Sequence, residues 1–506
     1  MDNKSNVRKS SYNIATDVVG KILTIVISII IPKLYIDNYG SNYNGLLNSL
    51  NGIFVYLNLL EAGIGSASIQ ALYKPITEKN YEKINGILSA TRAYYLRQGI
   101  FFLSGLIAVS FCYPSFAHSD IDYWTIVLLV ILSGTPYIAK FFFQGKYTVL
   151  LTADNSLYVL NIVSNGIHVA ANFIKAILLI NRVNIVLVQA VFAFVYLLQV
   201  VIISAYVRRC YKNVSFMKTP DTLALSKSKA AMIHELAYVV FNNTDVLLLT
   251  YFCGFKVVSV YSVYNMIFAQ ITLLLQSITT GSNAGLGQLM VIDRNRYNRL
   301  FQNFEYTFQC FSAFVLISVG VMSTPFVRLY TINATDINYM LPGLAFLFTE
   351  IQILSLLRWP GVGAIKAAGM FKETQWRALA EVVINLVTSI IMIQRYQIYG
   401  VLIGTIVALL YRTFDVILFT RHNILFTSKQ KAMLKVIVLI ALTTALLVWE
   451  STLNMYCRNY FVFLIKGCGI LALNMALFFI YSLLTNRAGF SRILELVKNR
   501  LVRRRK

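Results

Sequence analysis

Residues 184–209 read NIVLVQAVFAFVYLLQVVIISAYVRR, a run with no charged side chain that ends abruptly on Arg208 and Arg209. At 1.5 Å per residue a helix over 184–207 is about 36 Å long, enough to cross a hydrocarbon core about 30 Å thick. Comparable runs lie on both sides of it, at 12–31, 44–66, 86–111, 123–143, 156–180, 234–253, 256–287, 303–325, 341–366, 374–394, 398–419, 433–451 and 460–484. Those at 44–66, 256–287 and 341–366 are the most polar, carrying many Asn, Ser, Gln and Gly. Hydrophobic residues make up 57% of the 506 and charged residues 13%, so a water-soluble globule is excluded. The expected fold class is all-α integral membrane, with about 14 transmembrane helices.

The loops test that count. Assigned alternately to two sides, starting with the N-terminus, they place thirty-two Lys and Arg on one side and six on the other: Lys33, Arg182, Lys256, Arg328, Arg395 and Arg458. The remaining seven fall inside spans. By the positive-inside rule the rich side is cytoplasmic and holds both termini. The formal net charge of +24 is therefore spread over loop after loop as topology, and a nucleic-acid surface is not indicated. The tail Arg500, Arg503, Arg504, Arg505 and Lys506 suits anchoring to anionic lipid headgroups. The N-terminal run lacks a small-x-small cleavage site after Ile31 and reads as an uncleaved first helix. Six dispersed cysteines without CxxC spacing and four scattered histidines without a ligand pair offer no metal motif, and neither a metal nor a cofactor is expected.

A weak internal repeat suggests the domain organisation. Thr16-Asp17-Val18 recurs as Thr244-Asp245-Val246, and Tyr43-Asn44 recurs as Tyr264-Asn265. A duplication of six spans would give an N-terminal lobe over 1–207, a basic cytoplasmic inter-lobe loop over 208–233 and a C-terminal lobe over 234–419. Two further spans follow over 420–484, then a basic tail over 485–506. Six is even, so the copies would be parallel repeats about an axis along the membrane normal, the plan of transporters whose lobes rock around a central site.

The outer connections are short, the longest being 326–340 and 112–122, and hold no carboxylate pair with a nearby His, GxSxG or nucleotide loop. Transport is therefore favoured over chemistry. Ionisable side chains within spans cost about 2.5 to 3.5 kcal/mol each on insertion scales and tend to face a bundle interior or a water cavity. The cationic set is Lys21, Arg92, Arg97, Lys175, Arg358, Arg412 and Lys466; the anionic set includes Asp17, Glu61, Asp245, Glu350, Glu381 and Asp415. Asp17 with Lys21 and Arg412 with Asp415 have the spacing to neutralise each other on one helix face, and Lys175 has the reach to snorkel outward. Arg97 lies about 16 Å along its helix from the cytoplasmic edge, too deep for easy snorkelling. Arg92, Arg97, Arg358 and Arg412 are the candidate substrate-binding residues, since guanidinium forks in a low-dielectric cavity suit phosphate oxygens. A buried ion pair is the other reading, with Glu350, two turns from Arg358, as a partner. Asp17, Glu61 and Asp245 are the candidate ion-coupling residues, a desolvated carboxylate being able to exchange a proton or bind sodium. Amides in the polar spans (Asn48, Asn51, Asn58, Asn265, Gln270, Gln276) suit either sugar hydroxyls or interhelical hydrogen bonds.

Several stretches resemble a known family. Ala367-Ala368-Gly369-Met370-Phe371-Lys372-Glu373-Thr374, Ala380-Glu381-Val382-Val383-Ile384-Asn385-Leu386 and Tyr399-Gly400-Val401-Leu402-Ile403-Gly404-Thr405 with Arg412 are similar to the C-terminal lobe of bacterial polysaccharide repeat-unit flippases, of O-antigen or capsule type. Val260-Tyr261-Ser262-Val263-Tyr264-Asn265-Met266 and Leu60-Glu61-Ala62-Gly63-Ile64-Gly65 share the likeness. These proteins form the polysaccharide transport family of the multidrug/oligosaccharidyl-lipid/polysaccharide (MOP) exporter superfamily. The resemblance implies two six-helix lobes plus two helices in a bacterial cytoplasmic (inner) membrane. It also implies a cargo of undecaprenyl-pyrophosphate-linked oligosaccharide moved from the inner to the outer leaflet, with no nucleic-acid partner. The family has no invariant catalytic signature to transfer residue by residue. A cation-coupled multidrug antiporter of the same superfamily, and a multispanning polymerase or ligase of lipid-linked glycans, are the alternatives.

Overall fold

The structure is a computed structural model; it describes residues 3–59, 64–116, 119–216, 229–453 and 455–485. Within lipid no water is present to satisfy backbone N–H and C=O groups, so apolar runs of this length must close their hydrogen bonds internally as helices. Every regular element among the described residues is helical. Their order is α1 (Asn3–Tyr39), α2 (Ser41–Asn58), α3 (Ile64–Thr77), α4 (Tyr81–Phe116), α5 (Tyr123–Ala139), α6 (Gly145–Ala153), α7 (Leu157–Ile180), α8 (Ile185–Cys210) and α9 (Lys229–Ile292). After these come α10 (Arg294–Tyr330), α11 (Leu344–Ala367), α12 (Phe371–Tyr396), α13 (Ile398–Phe419), α14 (Lys429–Ser451) and α15 (Tyr460–Thr485).

Eleven segments of the described residues are long and apolar enough to cross a membrane. One of them, Leu236–Ile292, is divided by Gly254, whose φ of 79° and ψ of 174° turn the chain where 234–253 was predicted to end. A left-handed φ of this kind is costly for any residue with a Cβ. The polar second and tenth runs also form helices, α2 and α11. With these, and with Gly254 separating two spans, helices occupy all fourteen predicted positions. Their ends run further than hydropathy indicates. The loops predicted at 67–85 and 144–155 are helical over most of their length, through α3, the start of α4, and α6, which continues α5 across a wide-turn segment, Lys140–Gln144. Polar residues extend a helix beyond the apolar stretch that reveals it, because intrahelical bonding continues outside lipid.

The chain forms two compact units, Met1–Val260 with Asn333–Ile337, and Tyr261–Ile332 with Asn338–Lys506. In the first, α1 packs on α7, α7 on α8, α8 on α5 and α5 on α4. Its core includes Leu46, Leu50, Phe54, Phe102 and Phe141, with Phe54 5.2 Å from Tyr137 and Phe102 5.3 Å from Phe141 between ring centres. α2 is tied to the first half of α9 by polar contacts: Asn44 Nδ2 donates to Ser259 Oγ at 2.7 Å, the Ser49 and Thr250 hydroxyls are 2.5 Å apart, and the Tyr56 and Thr244 hydroxyls are 2.8 Å apart. Asp336, from the short segment that belongs to this unit, accepts from the Ser41 amide (2.8 Å) and hydroxyl (2.7 Å). A carboxylate there meets the positive end of α2.

This approach depends on Gly45. A Cβ built on it would stand 1.8 Å from the Phe255 carbonyl oxygen, just past the Gly254 turn. Gly45→Val is expected to destabilise the protein by about 3 kcal/mol, read as a lower thermal midpoint in detergent. An unchanged midpoint would mean that α2 does not lie against that turn.

In the second unit α12 and α13 form a tight hairpin, α11 packs on α13, and α10 packs on α11, α14 and α15. The hairpin turns at Gln397, with φ 50°, and a Cβ on Gly400 would meet the Met392 carbonyl at 2.4 Å. Phe348 stacks near Tyr264 and Phe268, each 5.8 Å away between ring centres.

Candidate functional site

Burying one guanidinium in an apolar bundle is expensive, and the second unit buries two beside one another. The α12–α13 hairpin and the packing of α11 on α13 bring together Arg358 (α11), Arg377 and Glu381 (α12), and Arg412 and Asp415 (α13). Arg358 Nη1 donates to Glu381 Oε1. Glu381 Oε2 lies 3.4 Å from Arg412 Nε. Arg412 Nη1 donates to Asp415 Oδ2 at 2.6 Å, and Asp415 Oδ1 accepts from Arg377 Nη1. The five side chains form a line of alternating sign, cation at both ends, with one positive charge in surplus. Four are about nine-tenths buried; Arg377 is 45% exposed, and its guanidinium carbon lies 5.3 Å from the centre of the Phe419 ring. Carboxylates shared between guanidiniums allow arginine to stay charged in such surroundings.

The arrangement supplies planar N–H donors and excess positive charge, so it can attract an anion rich in acceptor oxygens. It has no nucleophile–base pair within it. Among the described residues no group of three His, Cys, Asp or Glu could hold a metal ion, and all six cysteines are free.

Of the residues singled out from the sequence, Arg358 and Arg412 meet in this line. Arg358 is paired with Glu381 on a neighbouring helix and not with Glu350 on its own. Glu350 instead accepts from Thr444 Oγ1 of α14 at 2.8 Å. The spacing of Arg412 and Asp415 does correspond to an ion pair, as does that of Asp17 and Lys21, 2.8 Å apart and largely exposed. Arg377, which closes the line, is not among the candidates read from the sequence; it lies near the polar start of α12.

The first unit holds the other candidates separately. Arg92 Nη1 donates to the Phe216 carbonyl at 3.2 Å. Arg97 is exposed on α4, its guanidinium carbon 5.9 Å from the Phe101 ring centre. Asp245 is buried in α9 beside Thr244. Glu61 lies outside the described residues, as do 217–228 of the basic loop and the tail from 486. Lys175 does not snorkel: it is buried, its ammonium 3.2 Å from the Phe192 ring centre, where a π-face replaces water around the charge. Among the amides, Asn48 bonds the Asn44 carbonyl of its own helix at 2.8 Å, whereas Asn51 is exposed. A cavity of about 590 Å³ in the same unit is lined by Asn42, Ser119, Asp120, Phe255 and Lys256, with Lys256 and Asp120 3.4 Å apart.

No protein-family model matches the chain, and no curated protein does. Solved structures do. The inward closed conformation of the lipid II flippase MurJ matches with a TM-score of 0.64 at 14% identity, over 94% of this chain and 98% of that one. A MATE structure in the bent conformation matches with a TM-score of 0.54 at 11% identity, over 87% and 96%. The eukaryotic MATE transporter AtDTX14 matches with a TM-score of 0.51 at 13% identity, over 86% and 99%. At these identities the likeness is one of fold: the chain has the all-helical membrane fold that this flippase and these MATE transporters share.

Proposed function

We propose that this protein flips undecaprenyl-pyrophosphate-linked oligosaccharide repeat units from the inner to the outer leaflet of the bacterial cytoplasmic membrane, by alternating access, for cell-surface polysaccharide synthesis. The observation that carries the proposal is the surplus guanidinium in the buried line Arg358–Glu381–Arg412–Asp415–Arg377. A pyrophosphate presents several acceptor oxygens and negative charge, and would balance that surplus with paired hydrogen bonds. Arg92 and Arg97 of the first unit are the further candidates for binding the cargo's phosphates, and Asn51 for a sugar hydroxyl. The lobes 1–207 and 234–419 would be joined by the 208–233 loop, with 420–484 and the basic tail appended. Asp17, Glu61 and Asp245 would couple the cycle to a proton or a sodium ion. The fold shared with a lipid II flippase supports a lipid-linked cargo, and no enzymatic step is required.

The MATE likeness keeps cation-coupled drug antiport as a second reading. Against it, both carboxylates of the buried line are occupied by arginine, which leaves no acidic site there for an organic cation. Deleting the gene separates flipping from the polymerase or ligase alternative. Surface polymer is expected to disappear while intact lipid-linked repeat units accumulate on the cytoplasmic leaflet. Repeat units fully exposed outside in the deletion strain would refute flipping.

A further inference from the structure

The second unit has another polar crevice, of about 190 Å³, separate from the buried arginine line. It opens among α10, α14 and the wide turn that ends α13, at the end of the helices where the basic loops lie. Its walls carry Arg421, Lys431 and Lys435 against a single carboxylate, Glu305. Lys431 and Lys435 are one turn apart on α14, so both ammonium groups share a face; Lys435 Nζ lies 4.9 Å from the Tyr306 ring centre. The first turn of α14 begins at Lys429 behind its Ser428 cap, which puts the positive end of a 23-residue helix at the rim.

Three buried polar atoms here have no hydrogen-bond partner among the described residues: Arg421 Nε, Thr427 Oγ1 and Glu305 Oε1. Glu305 is 1% exposed, and its other oxygen accepts from Arg421 Nη2. Buried groups of this kind are rarely left unpaired in a native protein. The set is chemically mixed. An N–H and a hydroxyl beside two lysines ask for an anionic acceptor, whereas the carboxylate oxygen asks for a donor. A bare carboxylate or sulfate supplies only the first; an anion that also carries a hydroxyl supplies both, as a phosphate ester with a free hydroxyl does.

We propose that this crevice binds the headgroup of a hydroxyl-bearing phosphate ester, its phosphate held by Arg421, Lys431, Lys435 and Thr427 and its hydroxyl donating to Glu305 Oε1. A phospholipid of the phosphatidylglycerol type at the membrane edge and a soluble glycerol phosphate present the same chemistry. The site is independent of the cargo reading, since it shares no residue with the buried arginine line.

The full-length protein in detergent, titrated with phosphatidylglycerol, phosphatidylcholine and glycerol phosphate while its thermal midpoint is read, tests the proposal. Phosphatidylglycerol is expected to raise the midpoint with an apparent affinity about tenfold above that of phosphatidylcholine. Lys431→Gln/Lys435→Gln, at two exposed positions, is expected to leave the lipid-free midpoint in place and to abolish that difference. Glycerol phosphate giving the same rise would assign the site to a soluble ester; no rise with it would assign it to lipid. Equal response to the two lipids, or a double variant that keeps the phosphatidylglycerol preference, would overturn the proposal.

Discussion

Glu381→Gln is expected to cost the protein its fold. Glu381 is the carboxylate that Arg358 and Arg412 share, and both guanidiniums are almost wholly buried. Without it the line holds three cations against Asp415 alone, and Arg358 faces a neutral amide. Removing one partner of a buried ion pair costs about 3 to 5 kcal/mol, because the remaining charge is stranded. Membrane-fraction abundance should fall accordingly, measured by blot against the wild type. Glu381→Gln combined with Arg358→Gln restores the one-cation surplus of the line and should recover abundance. Unchanged abundance of the single variant would mean that the line is not a coupled electrostatic unit.

Arg358→Gln is expected to behave in the opposite way, keeping the protein and losing its activity. With Arg358 gone, Glu381 retains Arg412 and Asp415 retains both Arg412 and Arg377, so two cations balance two carboxylates. No buried acid is stranded. What disappears is the surplus charge, and with it the feature proposed to attract pyrophosphate. Complementation of a deletion strain should drop by more than about tenfold, since a charge-assisted hydrogen bond contributes roughly 1.5 to 3 kcal/mol. Arg358→Lys should retain part of the function, keeping the charge without the fork. If Arg358→Gln instead lowers abundance as much as Glu381→Gln does, the arginine is a structural counter-ion and the surplus is not the functional element.

The contrast between these variants shows what the sequence could and could not disclose. Span number and helical class were legible, because a 20-residue apolar run has few other uses and loop cations alternate from side to side. The Gly254 turn was legible as the gap between 253 and 256. Charge pairs within one helix were also legible: Asp17 with Lys21 and Arg412 with Asp415 sit at spacings that place both on one face. Partners on different helices were not. Glu350 is near Arg358 in sequence, yet Arg358 turns to Glu381, 23 residues away, because the packing of α11 against the α12–α13 hairpin decides which faces meet. Arg377 and the Glu305–Arg421 pair were hidden for a related reason: they lie at the ends of the apolar runs 374–394, 303–325 and 398–419, where hydropathy cannot separate a loop charge from one that reaches back into the bundle. Lys175 was misjudged because snorkelling is inferred from side-chain length, whereas the aromatic ring of Phe192 lies on another helix, α8.

The central claim is movement of a lipid-linked glycan between leaflets, and the most direct measurement is made in proteoliposomes. The purified protein is reconstituted with undecaprenyl-pyrophosphate-linked oligosaccharide, and a membrane-impermeant glycosidase added outside reports how much glycan it can reach over time. The account predicts that the inward-facing pool becomes accessible with wild-type protein, and that it stays protected in vesicles carrying Arg358→Gln or no protein. A pool that stays protected with the wild type, in vesicles where the same protein exchanges a cationic drug for protons or sodium, would contradict it.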